Sequence, residues 1–252
     1  MSTKVPASTR TSSPQCTADR CAMTTAFFNQ VLATSVLWAI SGLAALLLGL
    51  ALALGSISRA ATLRRTSDVV ILLTRGVPTS LLVVAAGLIA LPHRPPAWLP
   101  NPFPGTSSGM SLLAWAVVIA LAFGSAGHLA VIFRSGYRSL GSARLEQMTV
   151  LGLPVRHRVA VVGREAAAAS LAPTGARMVH HLHNTAFAAL FPVVDLFGWI
   201  QQGAYETFEV TRYVAIGAAA YIVLSLLIWG VARLLEYRLG SPSRASAAAG
   251  AT

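Results

Sequence analysis

The chain has 252 residues, 55% hydrophobic and only 11% charged, with 19 Lys and Arg against 8 Asp and Glu. Soluble domains carry about 25% charged residues, whereas positions 29–58 hold no ionisable side chain at all. That window exceeds the ~20 apolar residues needed to cross a bilayer core, which excludes an ordinary soluble domain and implies an integral membrane protein with one membrane domain.

In chain order, residues 1–26 are rich in Ser, Thr and Ala. They lack the apolar core of a cleavable signal peptide, and their composition leads us to expect a disordered tail. Cys16 and Cys21 lie within it at a spacing that is no strong metal signature; whether they pair is left open. Five spans are expected, at 31–57, 69–91, 112–133, 178–200 and 214–232. Each must be helical, because in lipid a helix alone satisfies its own backbone hydrogen bonds. The expected fold is therefore all-α: a polytopic membrane bundle of about five transmembrane helices, over 27–240. The connector at 92–109 is dense in proline and cannot form a regular helix, with Trp98 near the interface. A second disordered tail is expected at 241–252.

The arginines set the expected orientation. With the N-terminus outside, the inside segments hold Arg59, Arg64 and Arg65; then seven arginines between the third and fourth spans, from Arg134 to Arg177; then Arg233, Arg238 and Arg244. The outside segments hold Lys4, Arg10, Arg20, Arg94 and Arg212. This is the positive-inside bias, with the N-terminus out and the C-terminus in. The same distribution argues against nucleic-acid binding, which draws on clustered Lys and Arg. Lys4 is the single lysine. A phosphate-binding Walker loop needs a lysine after its glycines, so the chain has no means of hydrolysing ATP through such a loop.

Within the cytoplasmic segment 144–166, Leu145, Met148 and Leu151 recur at helical spacing, and Gly152 followed by Pro154 forms a stop signal. A helix this short is unstable alone in water. It must dock on lipid headgroups or on a protein, and the residues favour neither.

Several polar residues fall inside or beside spans. Arg75 is either a pathway contact or an arginine reaching the interface along its aliphatic stem; the second is modestly favoured. Pro78 opens the helix backbone, as a gating kink or as shape only. Asn184, Thr185 and Asp195 share a polar span with Pro192 between them. Asn184 and Asp195 at i and i+11 are expected on one helical face, lining a pathway or making a helix–helix hydrogen bond. His180, His181 and His183 invite a metal or haem reading, but only His180 and His183 have the spacing to share a face, and interfacial polar roles are favoured. Gly124, Ser125, Ala126 and Gly127 form a small-residue patch suited to close helix packing.

The order of these features resembles the inner-membrane permease subunits of ABC importers, specifically the polar-amino-acid uptake group. Glu146-Gln147-Met148 followed by Leu151-Gly152 is similar to that family's EAA loop, with both alanines replaced and Gly163-Arg164 where Leu-Pro is usual. LTRGVPTSLLV at 73–83 resembles its Arg-Gly-Thr-Pro segment. VIFRSGYRSL at 131–140 resembles the Arg-Gly-Gly segment before the loop, and LAPTGARMVHHLHNTAFAAL at 171–190 the Lys-Asp-Thr-Ser-Leu segment, with Asn184 in place of the aspartate. VARLLEYRLG at 231–240 is similar to the family's C-terminal end.

The resemblance implies a bacterial inner-membrane subunit forming half of a pathway for a polar amino acid or related solute. Glu146, Leu151 and Gly152 would contact or shape the interface with a separate ATPase dimer, which would hold the ATP and Mg; this chain would carry no cofactor or metal and catalyse nothing. It further implies an extracytoplasmic binding protein and a second permease subunit. The departures in the EAA loop favour a heterodimer. A membrane redox or metal-binding subunit built on His180, His181 and His183 is the rival expectation, and a non-transporting scaffold is a second.

Overall fold

The computed structural model describes residues 14–96, 98–101, 111–139, 148, 150–152, 154–191, 193 and 195–239. Its helices are α1 (Pro14–Ser56), α2 (Ala61–Gly76), α3 (Thr79–Ala90), α4 (Ser111–Arg138), α5 (Val155–Asn184), a 3-10 turn (Thr185–Leu190), α6 (Leu196–Thr207) and α7 (Val210–Leu239). Three stretches are long and apolar enough to cross a membrane: Met23–Ser56 of α1, all of α4 and all of α7. α2 and α3 qualify together as a fourth only if read as one span bent by 96°.

The expectation of five continuous spans needs two corrections. The second span is broken outright. Pro78 has no N–H to donate and forces Val77 into an extended conformation (φ −98°, ψ 129°), so Pro78 becomes the N-cap of α3, its carbonyl accepting from the N–H groups of Leu81 and Leu82. The fourth span, expected at 178–200, is not one helix. α5 begins after Pro154, runs 30 residues through Pro173 and ends at Asn184. The chain then tightens to a 3-10 turn, is extended at Phe191 (φ −120°, ψ 161°) and restarts at Asp195. Asn184 and Asp195 therefore share no helical face.

Helix α1 also reaches further back than expected. Residues 14–22 continue the helix of the span, because each residue added to an existing helix gains a hydrogen bond at no nucleation cost. Residues 1–13 of the first expected tail and 240–252 at the other end lie outside the described residues.

The core forms around α4, which packs on α1, α2, α3 and α5. Its small residues make this possible. Gly124, Ser125, Ala126 and Gly127 are all buried. A Cβ on Gly124 would fall 2.8 Å from Thr79 Oγ1, and one on Gly127 would strike Thr74 Oγ1 and approach the Ile71 carbonyl to 3.1 Å. The two halves of the bent span thus seat directly on the α4 backbone. Leu37, Val83, Leu113, Val117 and Leu121 fill the adjoining core. At the other end, Phe27, Trp199 and Tyr213 stack with ring centroids 5.4 and 5.1 Å apart, joining α1, α6 and α7. Helix α7 buries almost nothing of its apolar window within this chain.

Replacing Gly127 with Leu forces α2 off α4 and lowers stability by about 1–3 kcal/mol, the usual cost of overpacking. Thermal unfolding in detergent checks this, and Gly230→Leu, which meets open space, does not lower the midpoint.

Candidate functional site

The polar groups inside the bundle fall into two clusters. In the first, His181 on α5 is fully buried and joined at both ring nitrogens. Ser41 Oγ on α1 lies 2.9 Å from Nε2, and Ser125 Oγ on α4 lies 2.8 Å from Nδ1. The hydrogen of Ser41 is already given to the Leu37 carbonyl at 2.6 Å. Ser41 must therefore accept from Nε2–H, which leaves Nδ1 to accept from Ser125. Arg177 continues the sequence, its Nη2 donating to Ser125 Oγ at 3.3 Å and to the Gly124 carbonyl at 3.1 Å. Every donor in the chain Arg177, Ser125, His181, Ser41, Leu37 points the same way, an arrangement in which hydrogen bonds strengthen one another. It ties α1, α4 and α5 together.

Thr185, Asn184 and Asp195 make the second cluster, and all three are buried. Thr185 Oγ1 donates to the Leu182 carbonyl at 2.7 Å. Asp195 is the N-cap of α6, Oδ1 accepting from Gly198 N–H at 2.8 Å, while Thr34 Oγ1 of α1 accepts from Leu196 N–H at 2.8 Å. Two donors of the first turn of α6 are so satisfied, one by its own cap and one across the core. Asn184 Nδ2 and Asp195 Oδ2 remain buried without a partner, and Tyr221 of α7 interacts electrostatically with Asp195.

The loop between α4 and α5 ends in a turn at Gly152, whose φ of +64° disfavours a residue with a Cβ. This is the helix stop expected there. Beside it, Val150 and Leu151 are 87% and 74% exposed, while Met148 is buried. Two apolar side chains thus stand out beside the turn at Gly152. Glu146 and residues 140–147 as a group lie outside the described residues.

Residues 45–241 match the family model for the binding-protein-dependent transport system inner membrane component. The chain belongs to this family. It is an ABC importer permease, a transport subunit. Solved structures agree on the fold. A crystal structure of an amino acid ABC transporter with histidines is 21% identical, with 88% of this chain and 97% of that chain covered and a TM-score of 0.72. An inward-facing structure of the MetNI methionine ABC transporter is 15% identical, with 88% and 98% covered and a TM-score of 0.62. A search of curated proteins returned no match.

In this permease His180, His181 and His183 have different neighbours. His181 faces α1 and α4, His183 faces Ser225 of α7 at 3.4 Å, and His180 is exposed. Among the described residues no group of three His, Cys, Asp or Glu is placed to hold a metal. Arg75 sits in the last turn of α2 and Pro78 at the bend; both are exposed.

Arg177, the last residue before the expected fourth span, lies well inside α5 and reaches α4 at the Gly124 carbonyl. The signal was the i, i+4 spacing of Arg177 and His181, which sets both on one face. Ser41, Thr34 and Tyr221 gave no such signal, since a hydroxyl in an apolar span looks the same wherever it points.

Asp195→Ala removes the α6 cap and costs about 0.5–2 kcal/mol, whereas Asp195→Asn, which still caps, costs much less; thermal unfolding of the two variants in parallel checks the cap.

Proposed function

We propose that this permease forms one half of an inward pathway for a polar amino acid or related small solute, and that segment 144–166 couples it to a separate ATPase. The observation that carries the coupling is the corner at Gly152 with Val150 and Leu151 projecting from it. Exposed apolar side chains on a fixed turn suit insertion into a groove of a partner that moves as a unit. ATP and Mg belong to that partner, since Lys4 is the single lysine and no Walker loop is present. The amino-acid and methionine transporters named above support the solute class by likeness of fold.

The orientation follows from the arginine distribution, with the N-terminus outside, the C-terminus in the cytoplasm and the coupling corner facing the ATPase. Arg75 and His180 are exposed polar groups on this chain, and groups of that kind are costly against lipid. A second permease subunit that covers them completes the pathway. The altered EAA loop favours a partner of different sequence with a more regular loop. An extracytoplasmic binding protein delivers the solute. Asn184, Thr185 and Asp195 act in this reading as the polar support of the pathway wall.

Affinity capture of the tagged chain from its own membranes should recover an ATPase, a second permease of different sequence and a binding protein. Leu151→Asp should leave membrane insertion intact and reduce recovered ATPase at least tenfold, about 1.4 kcal/mol of interface energy. Gly152→Val should reduce solute uptake through strain of the turn. Equal ATPase recovery with Leu151→Asp would sink the coupling assignment.

A further inference from the structure

Four basic side chains from three helices meet beside the His181 network. Arg177 is held on α4 at Gly124 and Ser125, and its Nε is buried without a partner. His128 stands one turn further along α4, half-buried. Arg75 arrives from the last turn of α2, brought there because Gly127, next to His128, carries Thr74 directly on its backbone. His180 follows Arg177 by one turn of α5. The groups acting electrostatically on His128 are Arg177, Arg75 and His180, and those acting on His180 are Arg177 and His183. No carboxylate is among them.

Five of the described acids are engaged elsewhere, and Glu165 has a partner of its own. Asp68 pairs with Arg134 at 2.8 Å, Glu209 with Arg212 at 2.7 Å and Glu236 with Arg233 at 3.1 Å. Asp195 caps α6, and Glu206 accepts from Gln202 at 2.8 Å. Like charges gathered in a low-dielectric region repel strongly, and cations at membrane depth face the bundle interior or a water-filled cavity and find partners there. Arg75 and His180 are exposed on this chain, so the cluster opens outward from the bundle. An anion is what the arrangement lacks.

We propose that Arg75, His128, Arg177 and His180 form a binding site for two carboxylates of the transported solute, one for each guanidinium, and that this importer therefore carries a small dicarboxylate such as an acidic amino acid. This rests on the reading of the chain as half of a solute pathway and narrows its substrate class. Arg177 is the anchor, because its bonds to Gly124 and Ser125 fix the guanidinium while Nε–H remains to donate. Arg75 supplies a second permanent charge from the bend of α2. His128 and His180 add donors on either side, and the solute's ammonium is left to face the second subunit.

The test uses the complete importer, with its ATPase, second permease and binding protein, in liposomes. Accumulation of radiolabelled L-aspartate, L-glutamine and L-lysine is compared at equal concentration. Aspartate is expected to exceed the other two at least tenfold. The double variant R75Q/H180Q, which alters exposed side chains only, should lose at least tenfold of aspartate accumulation with the complex still assembled; R177K should retain more than R177Q.

Accumulation of glutamine or lysine in preference to aspartate overturns the carboxylate site and leaves the importer reading standing. Unchanged aspartate accumulation in R75Q/H180Q overturns it equally. Release of the second permease by R75Q/H180Q also overturns it, since the missing anion is then a carboxylate of that partner. Failure to accumulate any of the three, with no ATPase recovered alongside the chain, removes the pathway reading itself.

Discussion

At Gly124 and Gly127 the backbone of α4 meets the bent pair α2–α3 with no side chain between them. The rest of the structure depends on this close approach. It draws Thr74 and Thr79 onto α4, and so fixes where the Pro78 bend lies and where Arg75 emerges. It also leaves the Gly124 carbonyl reachable from a third helix, and Arg177 takes it. In lipid there is little hydrophobic force between helices, and association rests on close packing and polar bonds. Small residues on α4 supply the first, and the directed chain through His181 supplies the second.

That chain explains why a histidine is tolerated in the apolar core. Both ring nitrogens are matched, one as donor and one as acceptor, so nothing polar is left over. Asn184 and Asp195 contrast with it. Each keeps one buried atom without a partner, although Asp195 is otherwise committed to capping α6. The bonds through His181 tie α1, α4 and α5 together. Asp195 lies at the break between the 3-10 turn and α6, where the backbone is least continuous.

The two outward features of the permease have different characters. The corner at Gly152 offers apolar side chains on a turn that glycine makes accessible, which suits a protein groove. The basic cluster around Arg177 offers charge without countercharge, which suits an anion. Helix α7, apolar and almost unburied within the chain, is left to meet lipid or the second subunit.

Much of this could be read from the sequence. Membrane class, the apolar spans of α1, α4 and α7, the packing role of the 124–127 patch and the stop at Gly152 all follow from composition and local residue chemistry, because they depend on what a residue is and on its near neighbours in the chain. The family was legible for the same reason, as ordered motifs. Three things were not. The fourth span was mistaken for a single helix, since hydropathy does not register a backbone break that Asp195 and Thr34 stabilise from either side. The reach of Arg177 was hidden because its bond to Gly124 joins positions 53 apart in sequence. The meeting of Arg75, His128, Arg177 and His180 was invisible because it is made by three helices crossing. Sequence alone determined which segments are apolar enough to enter a membrane; the tertiary structure decided where those segments break and which polar groups face one another, because burial and pairing are set by contacts between distant segments.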